Sequence, residues 1–287
     1  MSEGRPRRMF CFGLGYSAQV LARGLAAEGW RIAGTCRADK TDLKACGYEI
    51  HRFDGSAPLD DPVKALAGTT HLLSSVPPGA SGDPVLARHG VDIEKIESLE
   101  WIGYLSTTGV YGDREGGWVD ESAELSPSGE RGRRRVVAEA AWFVLDTKAA
   151  VQSFRLAGIY GPGRSALDTV RQGRARRIVK PGQVFSRIHV DDIAKVLRAS
   201  IARPNSGATY NVCDDEAAPP EDVITFACNL LGVAPPPEIA FEDAELSEMA
   251  RSFYRDNKRV SNKRIKETLG VELRWPNYRD ALRVMLG

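Results

Sequence analysis

Residues 9–22 read MFCFGLGYSAQVLA, and this stretch decides the fold. Met9–Phe12 is a short apolar run that predicts a buried β-strand, and a tight glycine turn follows it at once. Gly13 allows the sharp turn, and Gly15, which lacks a Cβ, lets the backbone approach a pyrophosphate closely. The stretch therefore supplies the strand and the turn that a dinucleotide-binding βαβ unit requires.

The residues after the turn predict the helix of that unit, beginning near Tyr16 or Ser17. Ala18 stands where a third glycine would allow close packing of helix and strand. The first turn of a helix offers N–H groups and the positive end of its dipole to phosphates, so Tyr16 and Ser17 are predicted cofactor-binding residues. Since small-residue turns in other α/β proteins look similar, the motif needs a supporting context.

That context is the alternation of apolar strands and helices along the chain. It predicts an α/β fold with a doubly wound, parallel Rossmann-like sheet of about seven strands, because crossover helices cover both faces of such a sheet. The predicted strands are 9–12, 30–35, 48–53, 71–76, 101–106, 151–156 and 208–212. The predicted helices are 17–28, 39–45, 59–67, 83–96, 130–148, 167–172, 190–202 and 219–231.

The composition is that of an ordinary globular protein. The chain has 287 residues, of which 43% are hydrophobic, and a formal net charge of +1, so neither nucleic acid nor a membrane surface is an expected partner. Its five scattered cysteines predict reduced thiols in a cytoplasmic protein without a metal site. The apolar runs are shorter than the ~20 residues of a membrane helix, and the first is too short for a signal peptide.

Four stretches resemble the extended short-chain dehydrogenase/reductase family, which includes the NAD-dependent epimerases and dehydratases. They are the Gly13 turn, YLSTTGVYGD at 104–113, FRLAGIYGPGR at 154–164 and RIHVDDIA at 187–194. Their order and spacing are similar to those of the family across nearly the whole chain. The similarity is closest to an atypical branch that lacks the Tyr-x-x-x-Lys pair.

The resemblance implies a Rossmann-like domain, a smaller C-terminal α/β lobe that binds substrate, and a cleft between them. We expect residues 1–157 and 187–215 in the NAD(P)-binding domain. Residues 158–186 and 216–287 are then expected in the lobe. The family also implies that the predicted helices at 84–96 and 130–148 form the interface of a homodimer.

The end of the second predicted strand indicates which dinucleotide is bound. An NAD site places Asp or Glu there to bind the ribose 2′-hydroxyl, whereas this chain has Cys36 followed by Arg37. A guanidinium offers a planar fork of donors to a 2′-phosphate, and Lys40 adds a second positive charge. We therefore expect NADP, with NAD as the second choice. The alternative is that Arg37 is a solvated loop residue.

Other residues at strand ends complete the predicted cofactor site. Ser75, Val76 and Pro77 close the fourth strand and are expected beside the adenosine ribose and the pyrophosphate. The resemblance places Asp54 at the adenine amino group, and an acidic turn residue is the alternative interpretation.

The resemblance also gives the positions of the catalytic chemistry. Thr107 matches the Ser or Thr that polarises the substrate oxygen, and Arg131 and Arg135 stand where the family has its Tyr and Lys. That Lys lowers the pKa of the Tyr one helical turn away, so that the phenol can exchange a proton. Arg135 can hold the nicotinamide ribose as Lys would. Arg131 cannot exchange protons near neutral pH, because the pKa of a guanidinium lies above ~12.

Replacements for the missing proton carrier are Glu130, Tyr111, Tyr160 and His189, each of which also has a structural interpretation. Asp83 lies near the position of an active-site Asn in related enzymes, and a helix N-cap is its simpler role.

A basic segment indicates an anionic substrate. Arg155 and the loop at 159–164 match the family's entry to the substrate cleft, and in relatives the region beyond contacts the diphosphate of a nucleotide-sugar. Clustered arginines suit an anion through bidentate contacts, and a solvated basic face is the alternative. The cations of this segment are Arg171, Arg174, Arg176, Arg177 and Lys180.

Two functions remain open. One is an NAD(P)-binding epimerase/dehydratase-like oxidoreductase that acts on a small anionic or nucleotide-sugar-like substrate with a non-standard acid/base. The other is a catalytically impaired NADP-binding sensor or interaction protein.

Overall fold

A computed structural model describes residues 7–38 and 41–287, so Lys40 of the predicted cofactor site lies outside the described residues. The strands are, in chain order, β1 Arg8–Phe12, β2 Arg31–Cys36, β3 Glu49–Arg52, β4 His71–Ser74, β5 Trp101–Thr107, β6 Trp118–Val119, β7 Ala150–Leu156, β8 Gly158–Tyr160, β9 Arg177–Val179, β10 Arg187–His189, β11 Thr209–Val212, β12 Glu238–Ala240 and β13 Arg259–Val260.

The helices connect these strands as the alternating pattern predicts. They are α1 Tyr16–Ala27, α2 Thr41–Ala45, α3 Pro62–Leu66, α4 Pro84–Glu94, α5 Glu130–Phe143, α6 Ala166–Arg171, α7 Val190–Ala202, α8 Pro220–Leu230, α9 Glu248–Phe253, α10 Lys263–Leu269 and α11 Tyr278–Leu286. A 3₁₀ turn covers Thr108–Tyr111.

The central sheet has seven strands in the order β11-β7-β5-β4-β1-β2-β3, and β1 pairs in parallel with both β2 and β4. The strand order reverses between β1 and β4, the point at which open α/β sheets bind ligands beyond the carboxyl ends of their strands. The predicted doubly wound parallel sheet is confirmed. It places the Gly13 turn, which follows β1, at this reversal.

The first strand and helix form as their residue patterns dictate. All five residues of β1 are buried, as expected of a central parallel strand covered on both faces. Helix α1 buries Ala18, Leu21, Ala22 and Leu25, which recur at helical spacing and give it one apolar face.

The chain divides into two compact units. Of the described residues, the first unit contains those up to Ser106 together with Arg133–Arg155 and Ala194–Tyr210, and the second comprises Thr107–Gly132, Leu156–Ile193 and Asn211–Gly287. The first unit has a core that includes Phe10, Phe12, Tyr104 and Trp142. The second unit has a core around Tyr160, Val223, Trp275 and Tyr278 and a smaller one around Ile178 and Tyr254. The domain limits expected from the sequence divide the chain differently and stay a prediction.

Short parallel pairs give the second unit its own strands. β8 pairs with β10, β9 with β12 and β6 with β13. These pairs were not predicted, because strands of two or three residues show no periodicity.

Within the described ranges, none of the helices has the length and apolarity needed to cross a bilayer. All five cysteines are free thiols, and only Cys46 among them is exposed.

Candidate functional site

The turn at the end of β1 has a conformation that only glycine adopts readily. Gly13 has a φ of 82°. A Cβ at this position would lie 2.6 Å from Ser75 Oγ and 3.3 Å from Val76 Cγ2. Both the backbone angle and the close neighbour therefore require glycine here.

Hydrogen bonds hold this turn between the ends of β2 and β4. The N–H of Gly13 donates to Thr35 Oγ1 at 2.8 Å, and the N–H of Leu14 donates to the Thr35 carbonyl at 2.8 Å. Ser75 Oγ donates to the Gly13 carbonyl at 2.6 Å, and the Ser75 N–H donates to the Phe12 carbonyl at 2.9 Å. The turn is fixed before any ligand arrives. Thr35 was not predicted as a site residue, because a threonine within a strand looks like an ordinary β-former in the sequence.

The start of α1 faces open space. Gly15 is the N-cap residue, and among the described residues no side chain caps the helix there. A Cβ on Gly15 would meet no atom within 4 Å. The first-turn N–H groups of a helix have no partner within the helix, so the start of α1 suits an anion such as a phosphate group, and its role in binding the cofactor stays a prediction.

The remaining predicted cofactor residues lie at the ends of β2, β3 and β4. Arg37 is exposed directly after β2, whereas Cys36 is buried. Asp54 is exposed, and its Oδ1 accepts from the N–H and the hydroxyl of Ser56 at 2.9 and 2.6 Å, which lowers the pKa of this carboxyl. One oxygen of Asp54 is therefore used in a local turn. Val76 is partly buried and Pro77 is exposed.

These residues fit a nicotinamide dinucleotide. The uncapped end of α1 and the open space at Gly15 suit its pyrophosphate, and Arg37 is exposed at the end of β2.

Thr107 and Arg131 belong to the second unit. Thr107 Oγ1 accepts from the Gly109 N–H at 3.1 Å and thereby caps the 3₁₀ turn. The Arg131 guanidinium lies 5.7 Å from the ring centroid of Phe253, which is cation–π distance. Each side chain thus has a local packing role in addition to the role predicted from the resemblance.

Arg135 belongs to the first unit and points to the sheet. Its Nη1 donates to the Leu105 carbonyl and, at 3.3 Å, to Tyr104 Oη. Its guanidinium lies 5.6 Å from the Tyr104 ring centroid. A tyrosine beside a cation is therefore present, but the tyrosine lies on β5 and not one helical turn earlier on α5.

Burial determines what this tyrosine can do. Tyr104 is fully buried and stacks on Trp142, and burial raises the pKa of its phenol far above the ordinary value despite the nearby Arg135. Such a phenol keeps its proton near neutral pH and does not supply the missing base.

Asp83 accepts a hydrogen bond from Trp142, the residue that stacks on Tyr104. Its Oδ1 caps α4 by accepting from the N–H groups of Val85 and Leu86 at 2.8 and 3.2 Å, and its Oδ2 accepts from Trp142 Nε1 at 3.0 Å. The simpler role predicted for Asp83, a helix N-cap, is the one that the structure shows. Burial raises the pKa of this carboxyl.

The two tyrosines and the histidine among the substitute bases are buried in the second unit. Tyr111 Oη donates to Asn211 Oδ1 at 2.7 Å, and burial raises the pKa of Tyr160. His189 Nδ1 accepts from the Asp191 N–H at 3.2 Å, and burial lowers the pKa of this imidazole. These side chains pack the second unit. Glu130, in contrast, is exposed in the first turn of α5.

The basic residues of the predicted substrate region have different partners and locations in the structure. Arg155 is buried in the first unit, where its Nη2 donates to Glu139 Oε2 at 2.8 Å. In the second unit, Arg177 pairs with Glu238 at 2.5 Å, and Lys180 donates to the Tyr254 carbonyl. Arg174 and Arg176 line a cavity.

Comparisons with known proteins agree with this architecture. No family model matches the chain. A functionally unknown conserved protein from Silicibacter pomeroyi is 52% identical, with a TM-score of 0.90, and the alignment covers 97% of this chain and 98% of that one. Protein YeeZ of Escherichia coli K12 is 27% identical over 94% of this chain and 97% of its own length.

More distant solved structures share the fold. MoeE5, solved with UDP-glucose and NAD, is 17% identical with a TM-score of 0.76, over 98% of this chain and 97% of its own. Other structures of epimerase and dehydratase type reach TM-scores of 0.73 to 0.81 at identities of 13% to 23%. The chain has the extended short-chain dehydrogenase/reductase fold. It belongs to one family with the Silicibacter pomeroyi protein, and the epimerase/dehydratase-like fold predicted from the four motifs is confirmed.

Proposed function

We propose that the protein is an NADP-binding oxidoreductase of epimerase/dehydratase type with a non-standard acid/base. The observation that carries this proposal is the uncapped start of α1 behind the preformed Gly13 turn. A bound nicotinamide would supply a hydride donor or acceptor. The protein's own contribution is to hold the pyrophosphate at α1 and the adenosine ribose near Arg37.

The choice of NADP over NAD depends on charge at the end of β2. MoeE5 binds NAD, and its fold is shared by this chain. Here the position after Cys36 carries an exposed guanidinium, which would attract a 2′-phosphate.

The proposed substrate is small and anionic, or sugar-like. MoeE5 holds UDP-glucose, and the arginines of the second unit suit a negatively charged group. In this proposal Thr107 polarises the substrate oxygen and Arg135 holds the nicotinamide ribose. The exposed Glu130 is then the most accessible of the replacement bases.

A second function, that of a binding protein without turnover, is favoured by the contacts that the two arginines on α5 make. Arg131 lies over Phe253, Arg135 donates to the Leu105 carbonyl, and the buried tyrosines keep their protons. A protein with these properties would bind NADP tightly without turnover and serve as a sensor or an interaction module.

The assembly and location of the protein are also part of the proposal. Val91 of α4 and Val137 of α5 are more than half exposed, which supports a homodimer through these helices. We also propose a cytoplasmic location, which fits the free cysteines.

A combined binding and turnover experiment tests the two functions. NADPH binding would be measured first, and hydride transfer would then be followed across a panel of nucleotide-sugars and small carbonyl compounds. Transfer to one of them supports the oxidoreductase. Tight NADPH binding without any transfer supports the sensor, and absence of binding refutes both.

A further inference from the structure

The loop at 54–59, which begins with Asp54, lies directly on helix α4 of the first unit. Its Gly55 has a φ of 90°, and a Cβ on this residue would lie 3.0 Å from Pro84 Cβ at the start of α4. Just before the loop, the Phe53 N–H donates to the Cys36 carbonyl at 3.0 Å. Asp54 therefore lies beside the end of β2, at the edge of the sheet where we propose that the adenosine half of a dinucleotide binds.

His89 of α4 holds the far end of this loop by a hydrogen bond. The Leu59 N–H donates to His89 Nε2 at 3.2 Å, and both residues are buried. Because Nε2 accepts a hydrogen bond, the proton of the neutral imidazole lies on Nδ1, which donates to Asp92 Oδ2 at 2.9 Å. Asp92 thereby fixes the tautomer and the orientation of the ring.

The same imidazole packs against the ends of β1 and β3. Its ring centroid lies 5.5 Å from that of Phe12, at an interplanar angle of 25°, and 5.4 Å from that of Phe53. Phe12 precedes Gly13, and Phe53 precedes Asp54. His89 is fully buried, so its ring contacts the residue before each of these two turns within a close-packed core.

The neighbouring Arg88 supports the middle of the loop. Its Nη2 donates to the Ser56 carbonyl at 2.8 Å, and the Ser56 N–H and hydroxyl donate to Asp54 Oδ1. Among the described residues, Asp54 Oδ2 has no hydrogen-bond partner, and the side chain is exposed. One oxygen of Asp54 is therefore fixed by the loop, and the other is left as a hydrogen-bond acceptor.

We propose that His89 is a positioning residue for base recognition, which fixes the loop at 54–59 so that Asp54 Oδ2 accepts from the amino group of the cofactor's adenine. This amino group is a donor and matches a carboxylate, whereas hypoxanthine has an acceptor oxygen in its place. A carboxylate that is already held in position loses little conformational freedom on binding. The inference rests on the proposed cofactor function and adds the residue that sets the choice of base.

Paired titrations with NADPH and deamino-NADPH, in which hypoxanthine replaces adenine, test the proposal. NADH and deamino-NADH take their place if the protein binds NADH more tightly. The wild type should bind the adenine cofactor at least about tenfold more tightly, since the deamino form loses one hydrogen bond to a charged group. His89→Leu should reduce this ratio to about threefold or less, because the Leu59 N–H loses its acceptor. His89→Gln should keep most of the ratio, because its amide oxygen can accept in place of Nε2.

Two further variants control for general effects on the fold. His71→Leu is the matched control, because His71 is also a buried histidine of the first unit but lies at the start of β4, away from the cofactor edge, and it should leave the ratio unchanged. Arg88→Met alters an exposed side chain and should narrow the ratio about threefold, since the Ser56 carbonyl loses its donor. Urea denaturation would establish that each variant is folded, and Arg88→Met decides the question if His89→Leu is not.

The proposal is overturned if a folded His89→Leu or Arg88→Met variant keeps the ratio of the wild type, if His89→Gln loses it as fully as His89→Leu does, or if His71→Leu loses it as well. Equal affinity of the wild type for the adenine and hypoxanthine cofactors would also overturn it, and would leave the proposed cofactor function intact. Absence of binding of all these dinucleotides would instead refute the cofactor function, and this inference with it.

Discussion

Replacement of Gly15 by alanine separates a role in the fold from a role in ligand binding. The added Cβ would enter space in which no atom lies within 4 Å, and the residue has φ −90° and ψ −162°, which alanine adopts without strain. Alanine is a poorer N-cap than glycine by up to about 1 kcal/mol, but it also lowers the entropy of the unfolded chain by about 0.4–1 kcal/mol. The free energy of unfolding should therefore stay within about 1 kcal/mol of wild type.

The effect on NADPH binding should be much larger. The methyl group would occupy the space through which a pyrophosphate approaches the N–H groups of α1. Loss of one hydrogen bond to a charged group costs about 1.5–3 kcal/mol, which corresponds to a roughly 10- to 100-fold weaker affinity. Urea denaturation would measure stability, and fluorescence titration with NADPH would measure affinity.

Gly13→Ala is the matched control. At φ 82° and with Ser75 Oγ 2.6 Å from the new Cβ, this substitution should destabilise the fold by about 1–3 kcal/mol. The reasoning is refuted if Gly15→Ala binds NADPH as wild type does, or if it loses as much stability as Gly13→Ala.

Two further predictions concern buried charge. Glu139→Ala should lower stability by about 3–5 kcal/mol in thermal or urea unfolding, because it leaves the buried Arg155 guanidinium without its carboxylate; a loss below about 1 kcal/mol would contradict this. Burial lowers the pKa of His71 from 6.5 to about 4. Between these values the unfolded chain binds more protons, so stability should fall by up to about 3 kcal/mol as the pH is lowered from 6.5 to 4. His71→Gln should show a smaller loss over this range, and an unchanged loss would argue against the assignment.

The main sheet could be predicted from the sequence because most of its strands are buried apolar runs bounded by turn residues, although β3 is polar and partly exposed. β1 and β5 were placed to within one residue. The helix predicted to reach Lys148 ends at Phe143, since the chain then turns before β7, with Thr147 Oγ1 accepting from the Ala149 N–H. Such a turn depends on where the next strand must begin, which a local pattern does not reveal.

The site could be predicted only where a local motif specifies it. The glycines after β1 lie in one short stretch, so their turn was found. Tyr104 and Arg135 are 31 positions apart in the sequence, and their contact depends on how α5 packs on β5. Arg155 looked like a substrate residue because of its place in a motif, yet it is buried against Glu139. A local sequence pattern does not reveal contacts between residues that are distant in sequence.

The affinities of the protein for NADPH and NADH test the central claim most directly. Arg37 is exposed at the end of β2, where a guanidinium would bind a 2′-phosphate. Loss of such a charged contact costs about 1.5–3 kcal/mol, so NADPH should bind at least about tenfold more tightly than NADH, and Arg37→Ala should remove most of that difference. Equal affinities for the two cofactors that Arg37→Ala leaves unchanged would contradict the account.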